Sequence, residues 1–292
     1  MFPSNITVIT LTYNEEKNLP FLLHSVSDWA DDIVVVDSFS VDSTPQIAIN
    51  SNCRLYQNKF INFSAQRNFA LSNIEINTEW ILFLDADEWL GDEIKSEISE
   101  KINSNPPENG FYLKRRLIWM GTWIKRGYFP SLQLRLFRNG FGRCEDRVIN
   151  EHFLIQGSVG VLESYFTDEN RNGIFAWTHK HNQYSTAEAL ELTLATDSTS
   201  PTQVLCSFWG SQAERRRWLR YKIWNKLPPL FRPFLYFFYR FILRGGFLDG
   251  RIAFIFHVLQ AFWYPFLIDV KFIEAKYLDK RSSKALDKRE PL

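Results

Sequence analysis

Residues 80–88 read WILFLDADE: five apolar residues in succession, then Asp85, Ala86, Asp87 and Glu88. A short apolar run with no polar alternation fits a strand buried on both faces of a sheet. The two carboxylates that follow it then stand at the strand's C-terminal end. The same grammar recurs on the N-terminal side. Residues 6–12 (ITVITLT) form a β-branched run that ends at Tyr13-Asn14, and Leu19, Leu22, Leu23 and Val26 follow at helical spacing. Residues 33–37 (IVVVD) are a second run, closed by Asp37 and the polar turn SFSVDST at 38–44, with Pro45 placed to open a helix. A weaker strand is expected near 53–57 and a helix over 63–76.

Short apolar strands alternating with helices imply an α/β protein, a mostly parallel central sheet flanked by helices. In such sheets functional groups gather at the C-terminal strand ends. Asn14, Asp37 and Asp85/Asp87 all fall there, so three separate strands deliver polar groups to one edge. After about residue 105 the texture changes. Residues 110–117, 132–138 and 158–163 read as strands of a more irregular, antiparallel region, with Trp119, Trp123, Tyr128 and Phe129 in the loop between the first two. A helix is expected over 184–198. These limits give a domain over 1–198, divided near 105 into two halves. A linker over 199–214 and a helical region over 215–292 follow.

Composition narrows the function classes. The net charge of +1 excludes a general polyanion binder. Yet Arg215, Arg216, Arg217, Arg220, Lys222, Lys226, Arg232, Arg240, Arg244 and Arg251 crowd one stretch, which also carries much of the aromatic excess. Cys53, Cys144 and Cys206 show neither a disulfide framework nor zinc-ligand spacing, so a reducing compartment is the expectation. MFPSNITVITLTYNEE reads as a first strand without the basic start of a signal peptide, which places the catalytic part on the cytoplasmic side.

Asp85 and Asp87, in an extended turn, can converge on one hard cation. Mg2+ and Mn2+ favour carboxylate oxygens and are often held by one or two of them, with phosphates completing the shell. The alternative is a solvated acidic turn. Asp37 stands where a carboxylate accepts hydrogen bonds from a ribose or a base. One of Asp42, Ser43 and Thr44 is read as the cap of the helix at Pro45.

The ordered segments TYNEEKNLPFLLHSVSDWADDIVVVDSFSVDSTPQIA, FSAQRNFAL and EWILFLDADEWL resemble the family 2 glycosyltransferases, as do the later QLRLFRNG and KHNQYS. They are especially similar to bacterial lipopolysaccharide-core glucosyltransferases. The resemblance covers about the first 190 residues. It implies a GT-A (Rossmann-like) fold, inverting chemistry and a divalent metal, Mg2+ or Mn2+. By motif match Thr12, Tyr13, Asn14 and Glu15 line a nucleotide-sugar pocket, Asp37 contacts the uridine or another base, and Asp85 and Asp87 hold the metal. Arg67 approaches the diphosphate or, alternatively, makes a surface salt bridge. Similar enzymes carry Val-His-Glu after the Arg-Leu-Phe-Arg strand; here Ile149, Asn150 and Glu151 match it. Glu151 is the candidate base for the acceptor hydroxyl, with Glu145 and Asp146 as competitors. Asp168 stands where related sequences often have His. His179 and His181 precede the expected helix and read as capping or acceptor contacts.

Residues 227–243 and 252–270 are apolar and aromatic, and each approaches the length that spans a bilayer. Arg232, Arg240 and three prolines interrupt the first; His257, Gln260, Pro265 and Asp269 interrupt the second. Charges at a bilayer centre are costly, so helices lying in the interface are favoured over a spanning hairpin or a soluble appendage. The partners expected are a nucleotide-sugar donor, a glycolipid or lipid-linked acceptor and a membrane surface, with no nucleic acid. A nucleic-acid binder would need a more solvated stacking platform. A nucleotidyltransferase would show a Gly-rich phosphate loop where TLTYNEEKN stands. A non-catalytic nucleotide-sugar-binding scaffold of the same fold is the remaining alternative.

Overall fold

The structure, a computed structural model, describes residues 5–146, 151–194, 209 and 212–287. The chain forms two compact units, the first ending at Gly173 and the second beginning at Ile174. The expected boundary after 198 falls outside the described residues, as do Ile149 and Asn150 and most of the expected linker.

The first unit is a mixed α/β sandwich of the GT-A kind. Its strands are β1 (Ile6–Thr12), β2 (Asp32–Asp37), β3 (Arg54–Gln57), β4 (Trp80–Asp85), β5 (Glu88–Trp89), β6 (Gly110–Trp119), β7 (Thr122–Trp123), β8 (Ser131–Arg138), β9 (Gly142–Cys144), β10 (Phe153–Ile155) and β11 (Val159–Asp168). The main sheet runs β3-β2-β1-β4-β8-β6-β11-β5, with β7 paired to β6. β1 is parallel to both β2 and β4, and β2 to β3. β8 runs antiparallel between β4 and β6. The second half is less antiparallel than its texture suggests, because β11 pairs with β6 in parallel.

The apolar runs become strands because both faces are covered. Val8, Leu82 and Leu84 point to one cluster, closed by Leu19, Leu22, Leu23 and Val26 of α1 (Leu19–Val26) and by Ile94, Ile98 and Ile102 of α4 (Asp92–Asn103). Ile9, Val34, Val36, Ile81 and Phe83 point to the other, under Ala70 of α3 (Phe63–Asn73). Each fully buried aliphatic or Phe side chain contributes about 1.5–3 kcal/mol. Asp92 and Glu93 in the first turn of α4 complement its dipole. At α2 (Thr44–Asn50) the N-cap is Ser43, whose side chain makes no capping bond; Asp42 before it accepts from the backbone N–H of Thr44 at 3.0 Å and of Glu16 at 3.2 Å.

The second unit is helical. α5 (Gly173–Leu194) begins well before the expected 184, so His179 and His181 lie inside it. Its first turns lack a clean polar–apolar period, and ring contacts organise them instead: Trp177 stacks on His181 one turn later, ring centroids 3.6 Å apart. α6 (Gln212–Lys222), α7 (Arg232–Phe237), α8 (Gly250–His257) and α9 (Tyr264–Asp287) complete the unit. π-helical turns over Phe238–Leu243 and Val258–Trp263 extend α7 and join α8 to α9. Glu188 of α5 accepts from Arg220 of α6 at 2.7 Å and from the Tyr264 hydroxyl of α9 at 2.6 Å. Gly246 is required where it stands, since a Cβ there would lie 2.6 Å from His257 Nε2 and 3.0 Å from the Arg240 carbonyl.

One charge assignment is corrected here. Arg232, which interrupts the first apolar segment, does not face outward as a charge on an interfacial helix would. It is buried, and its Nε donates to Asp269 Oδ1 at 2.8 Å, while Leu230 N–H donates to Oδ2 at 2.7 Å. The two charges that interrupt the apolar segments neutralise each other inside the unit. Among the described residues one helical stretch, Gly246–Leu278, is long and apolar enough to cross a membrane, with mean hydropathy 1.4.

Candidate active site

The strand ends build the site. β1 ends in Thr12, after which Asn14 takes a left-handed backbone, φ 55°, that an asparagine tolerates. Asn14 and the turn after β2 then hold each other: Asn14 N–H donates to Ser40 Oγ at 2.8 Å, and Val41 N–H to Asn14 Oδ1 at 2.9 Å. Asp37 lies beneath this turn and is fully buried. Its Oδ1 accepts from Thr12 Oγ1 at 2.9 Å and Ser40 Oγ at 2.5 Å, and its Oδ2 from Ser40 N–H at 2.8 Å. Three bonds hold the carboxylate within the turn, so Asp37 orders the strand end at which the base contact is expected. Tyr13, by contrast, is 59% exposed on the edge. Glu15 Oε2 accepts from Asn18 at 2.7 Å and from Asn172 at 3.2 Å. Gln66 of α3 supports the floor, donating to Ser38 Oγ at 2.8 Å.

A chain of alternating charges starts at the end of β4. Arg135 of β8 donates through Nη2 to Asp85 Oδ2 at 2.6 Å and to Glu88 Oε1 at 2.5 Å. Arg67 of α3 donates to Asp85 Oδ1 at 3.2 Å and, from its other terminal nitrogen, to Glu151. The sequence Glu151–Arg67–Asp85–Arg135–Glu88 is therefore continuous. Arg67 is buried, which excludes the surface salt bridge weighed for it. Burial alone would lower the pKa of both arginines; the carboxylates around them more than reverse this, so both stay charged. Glu88 goes the other way: its complete burial holds its carboxyl well above the usual range, against the pull of Arg135. The Nε groups of Arg67 and Arg135 are buried and make no hydrogen bond.

Asp87 is steadied from the loop after β11: Asn170 Nδ2 donates to its Oδ2 at 2.8 Å, and Glu169 N–H to its carbonyl at 2.9 Å. Asp168 ends β11 opposite Glu88 and pairs with Arg115 at 3.2 Å. Burial pushes its carboxyl up to about 7; Arg115 opposes this, while Asp87 and Asp85 add to it. The position where related sequences often have His thus carries a third carboxylate beside the pair. Among the described residues no three such side chains converge closely enough to hold a metal alone. The donor chemistry nevertheless suits a hard cation completed by phosphate. All donors are oxygens, and the Asp85 side chain remains 40% exposed although both its arginines are buried.

Of the competitors for the base, Glu145 is fully buried and pairs with His152 at 2.9 Å, so it is a structural acid. Asp146 is exposed. Sequence reasoning missed Arg135, Glu88, Asn170 and Asn172. Arg135 lies in the quoted QLRLFRNG segment, where a charge inside an apolar strand was the available signal. The asparagines carry none, because their roles depend on the loop's path.

This edge belongs to a sugar transferase: the chain is a member of Glycosyl transferase family 2, whose family model matches residues 7–166. A glycosyltransferase of Rickettsia felis is 34% identical over 199 residues, 64% of this chain and 70% of that one. One of Rickettsia typhi is 25% identical over the same length, 64% and 68%. Glycosyltransferase SunS of Bacillus subtilis is 33% identical over 97 residues, 32% and 23%. Among solved structures the chain is similar to S. aureus TarS 1–349, with TM-score 0.45 and 17% identity, covering 94% of this chain and 91% of that one.

Proposed function

We propose that the protein is an inverting hexosyltransferase that moves a sugar from a nucleotide-sugar, UDP-linked, to a glycolipid or lipid-linked glycan in cell-surface polysaccharide synthesis. The observation that supports it most is the continuous path from Glu151 through Arg67 to Asp85. It joins the candidate base to the candidate donor carboxylates within one hydrogen-bonded network.

In this reading Tyr13, Asn14 and Glu15 line the nucleoside, against a turn kept in shape by Thr12 and Asp37. Asp85 and Asp87 are the residues that would hold Mg2+ or Mn2+ with the donor diphosphate, where such a cation would supply charge stabilisation to the leaving phosphate. Arg67, with its unpaired Nε, turns toward the diphosphate and gives up Glu151. Released from the arginine, Glu151 accepts the proton of the acceptor hydroxyl as its oxygen attacks the anomeric carbon from the far side. Domain limits follow the same reading: a transferase unit, and a C-terminal region that meets lipid.

The second unit supports a membrane location at the cytoplasmic face. With Arg232 and Asp269 paired internally, its surface carries exposed Phe231, Phe234, Phe238, Leu243, Leu248 and Phe254. Exposed Lys222, Arg244 and Arg251 flank them. Large apolar side chains bordered by cations suit the boundary of an anionic bilayer.

Two measurements test this. Calorimetric titration of UDP, GDP and dTDP, with Mn2+ and then with EDTA, should show UDP binding that needs the metal; metal-independent or absent binding would overturn the donor assignment. Flotation with phosphatidylglycerol vesicles should carry the protein upward, and Phe234→Ser/Phe238→Ser should reduce this roughly tenfold or more. Equal flotation of the variant would reject the interfacial face.

A further inference from the structure

A second cluster of side chains stands at the same sheet edge as the candidate site, outside the network described above. On β5, β11 and β6 the register sets Trp89 opposite Thr167 and Thr167 opposite Arg116. This row is one residue from the row of Glu88 and Asp168, so its side chains leave the opposite face of the pleat. Arg116 is held in a fixed pose. Its Nε and Nη2 donate to Thr167 Oγ1 at 3.0 and 2.6 Å. Its guanidinium lies 4.5 Å from the Tyr165 ring, 5.6 Å from Trp89 and 5.8 Å from Trp123. Among the described residues Nη1 has no hydrogen-bond partner. Exposed Lys125 covers the Trp123 ring, its ammonium 4.6 Å from the centroid.

Two features are unexplained by packing. The indole N–H groups of Trp89 and Trp123 are both buried and have no hydrogen-bond partner. Native proteins rarely leave such donors unmet. The cluster also supplies only donors and ring faces: two cations, two indole N–H groups and three aromatic surfaces, with Thr167 already engaged. The matching ligand offers oxygens as acceptors, an apolar C–H face and negative charge.

We propose that this cluster is a subsite for an anionic saccharide, a pyranose bearing a phosphate or carboxylate, as part of the acceptor. The pyranose face takes the place of the Lys125 stem on Trp123, the sugar's hydroxyl and ring oxygens accept from the indole N–H groups that this displacement uncovers, and the anion pairs with Arg116 Nη1 and the displaced Lys125. Planar charge-assisted pairing is what a fixed guanidinium does best. Because the cluster lies round the sheet edge from Asp87, the sugar it holds is one distal to the reacting hydroxyl. The inference rests on the reading of the chain as a glycan-modifying transferase.

The test is saturation-transfer NMR on the full chain with methyl glucoside, glucose 6-phosphate and glucuronic acid. UDP and Mg2+, the diamagnetic alternative to Mn2+, are kept saturating so that the donor edge is occupied. At least one anionic sugar should bind roughly tenfold more tightly than methyl glucoside, as one charge-assisted pair provides. Arg116→Gln should abolish that preference, and Lys125→Ala should weaken it, with UDP affinity unchanged in both. The tighter of the two anionic probes identifies phosphate or carboxylate. No saccharide binding, equal binding of all three sugars, or an undiminished preference in Arg116→Gln would overturn the subsite. Loss of UDP binding in the wild-type protein, with the anionic preference intact, would instead sink the donor reading and leave the subsite standing.

Discussion

The two units bury charge in opposite ways. At the edge of the first, five charged side chains run from Glu151 to Glu88, yet two guanidinium Nε groups inside the run have nothing to donate to. In the second, Arg232 and Asp269 form a closed pair. The carboxylate also takes the Leu230 N–H, and the guanidinium lies 5.3 Å from the Trp224 ring. Surfaces differ in the same sense. The first unit buries its central strands β1, β2 and β4 almost completely, whereas the second leaves Phe231, Phe234 and Phe238 about half exposed. A charge network with unmet donors is poised for a ligand; a closed one serves packing. The contrast separates residues whose loss should remove activity from residues whose loss should remove structure.

The largest effect expected is at the open network. Asp87→Asn should lower metal-dependent turnover roughly 1,000-fold, since a catalytic cation is worth several kcal/mol of charge stabilisation. Circular dichroism and the melting temperature should stay near wild type. Unchanged turnover in a folded variant would take the metal away from Asp87. Glu151→Gln should follow with a loss on the order of 100-fold or more, with UDP affinity preserved. Weakened UDP binding of the same size would show that Glu151 serves only to hold Arg67.

At the closed pair the expectation reverses. Asp269→Ala leaves Arg232 buried without its partner and should cost about 3–5 kcal/mol of stability. The double change Arg232→Met/Asp269→Leu, which removes both charges, should restore most of it. Urea melts followed by tryptophan fluorescence read both. A double variant as unstable as the single one would mean that the pair does more than neutralise itself.

How much of this was legible beforehand depends on how local the signal was. The strands at 6–12, 33–37 and 80–84 announce themselves because both faces are buried and nearly every residue is apolar. Asp85 and Asp87 follow directly, because a strand end is a place in space as well as in sequence. Arg67 was legible as a candidate, but its partners were not, since Glu151 reaches it from 84 residues away. Asp37 reads as a strand-end carboxylate, but its bonds to Thr12 and Ser40 appear only once the turn folds over it. Asn170 and Asn172 acquire meaning only when the loop after β11 returns to Asp87 and Glu15. The start of α5 was hidden for another reason: GIFAWTHKHNQ has no amphipathic period, and ring stacking within the helix stands in for it.

That stacking supplies the smallest and last prediction. His181 donates to the Trp177 carbonyl at 2.8 Å and packs against Trp177, Tyr184 and Tyr264, with Lys180 and Glu188 as its charged neighbours. Burial, more than any neighbour, depresses its pKa to about 4. The fold therefore favours the neutral ring, while the unfolded chain protonates near 6.5. The stability this provides is complete above pH 6.5. It drains away as pH falls toward 4, by up to roughly 1.4 kcal/mol per pH unit. His181→Phe keeps an aromatic ring beside Trp177 but has no proton to gain. Its urea midpoint should fall less than that of wild type between pH 6.5 and 5, whatever its value at pH 7.5. Parallel falls in the two proteins would mean that the ring is protonated in the folded state, and that this part of the second unit is wetter than its burial indicates.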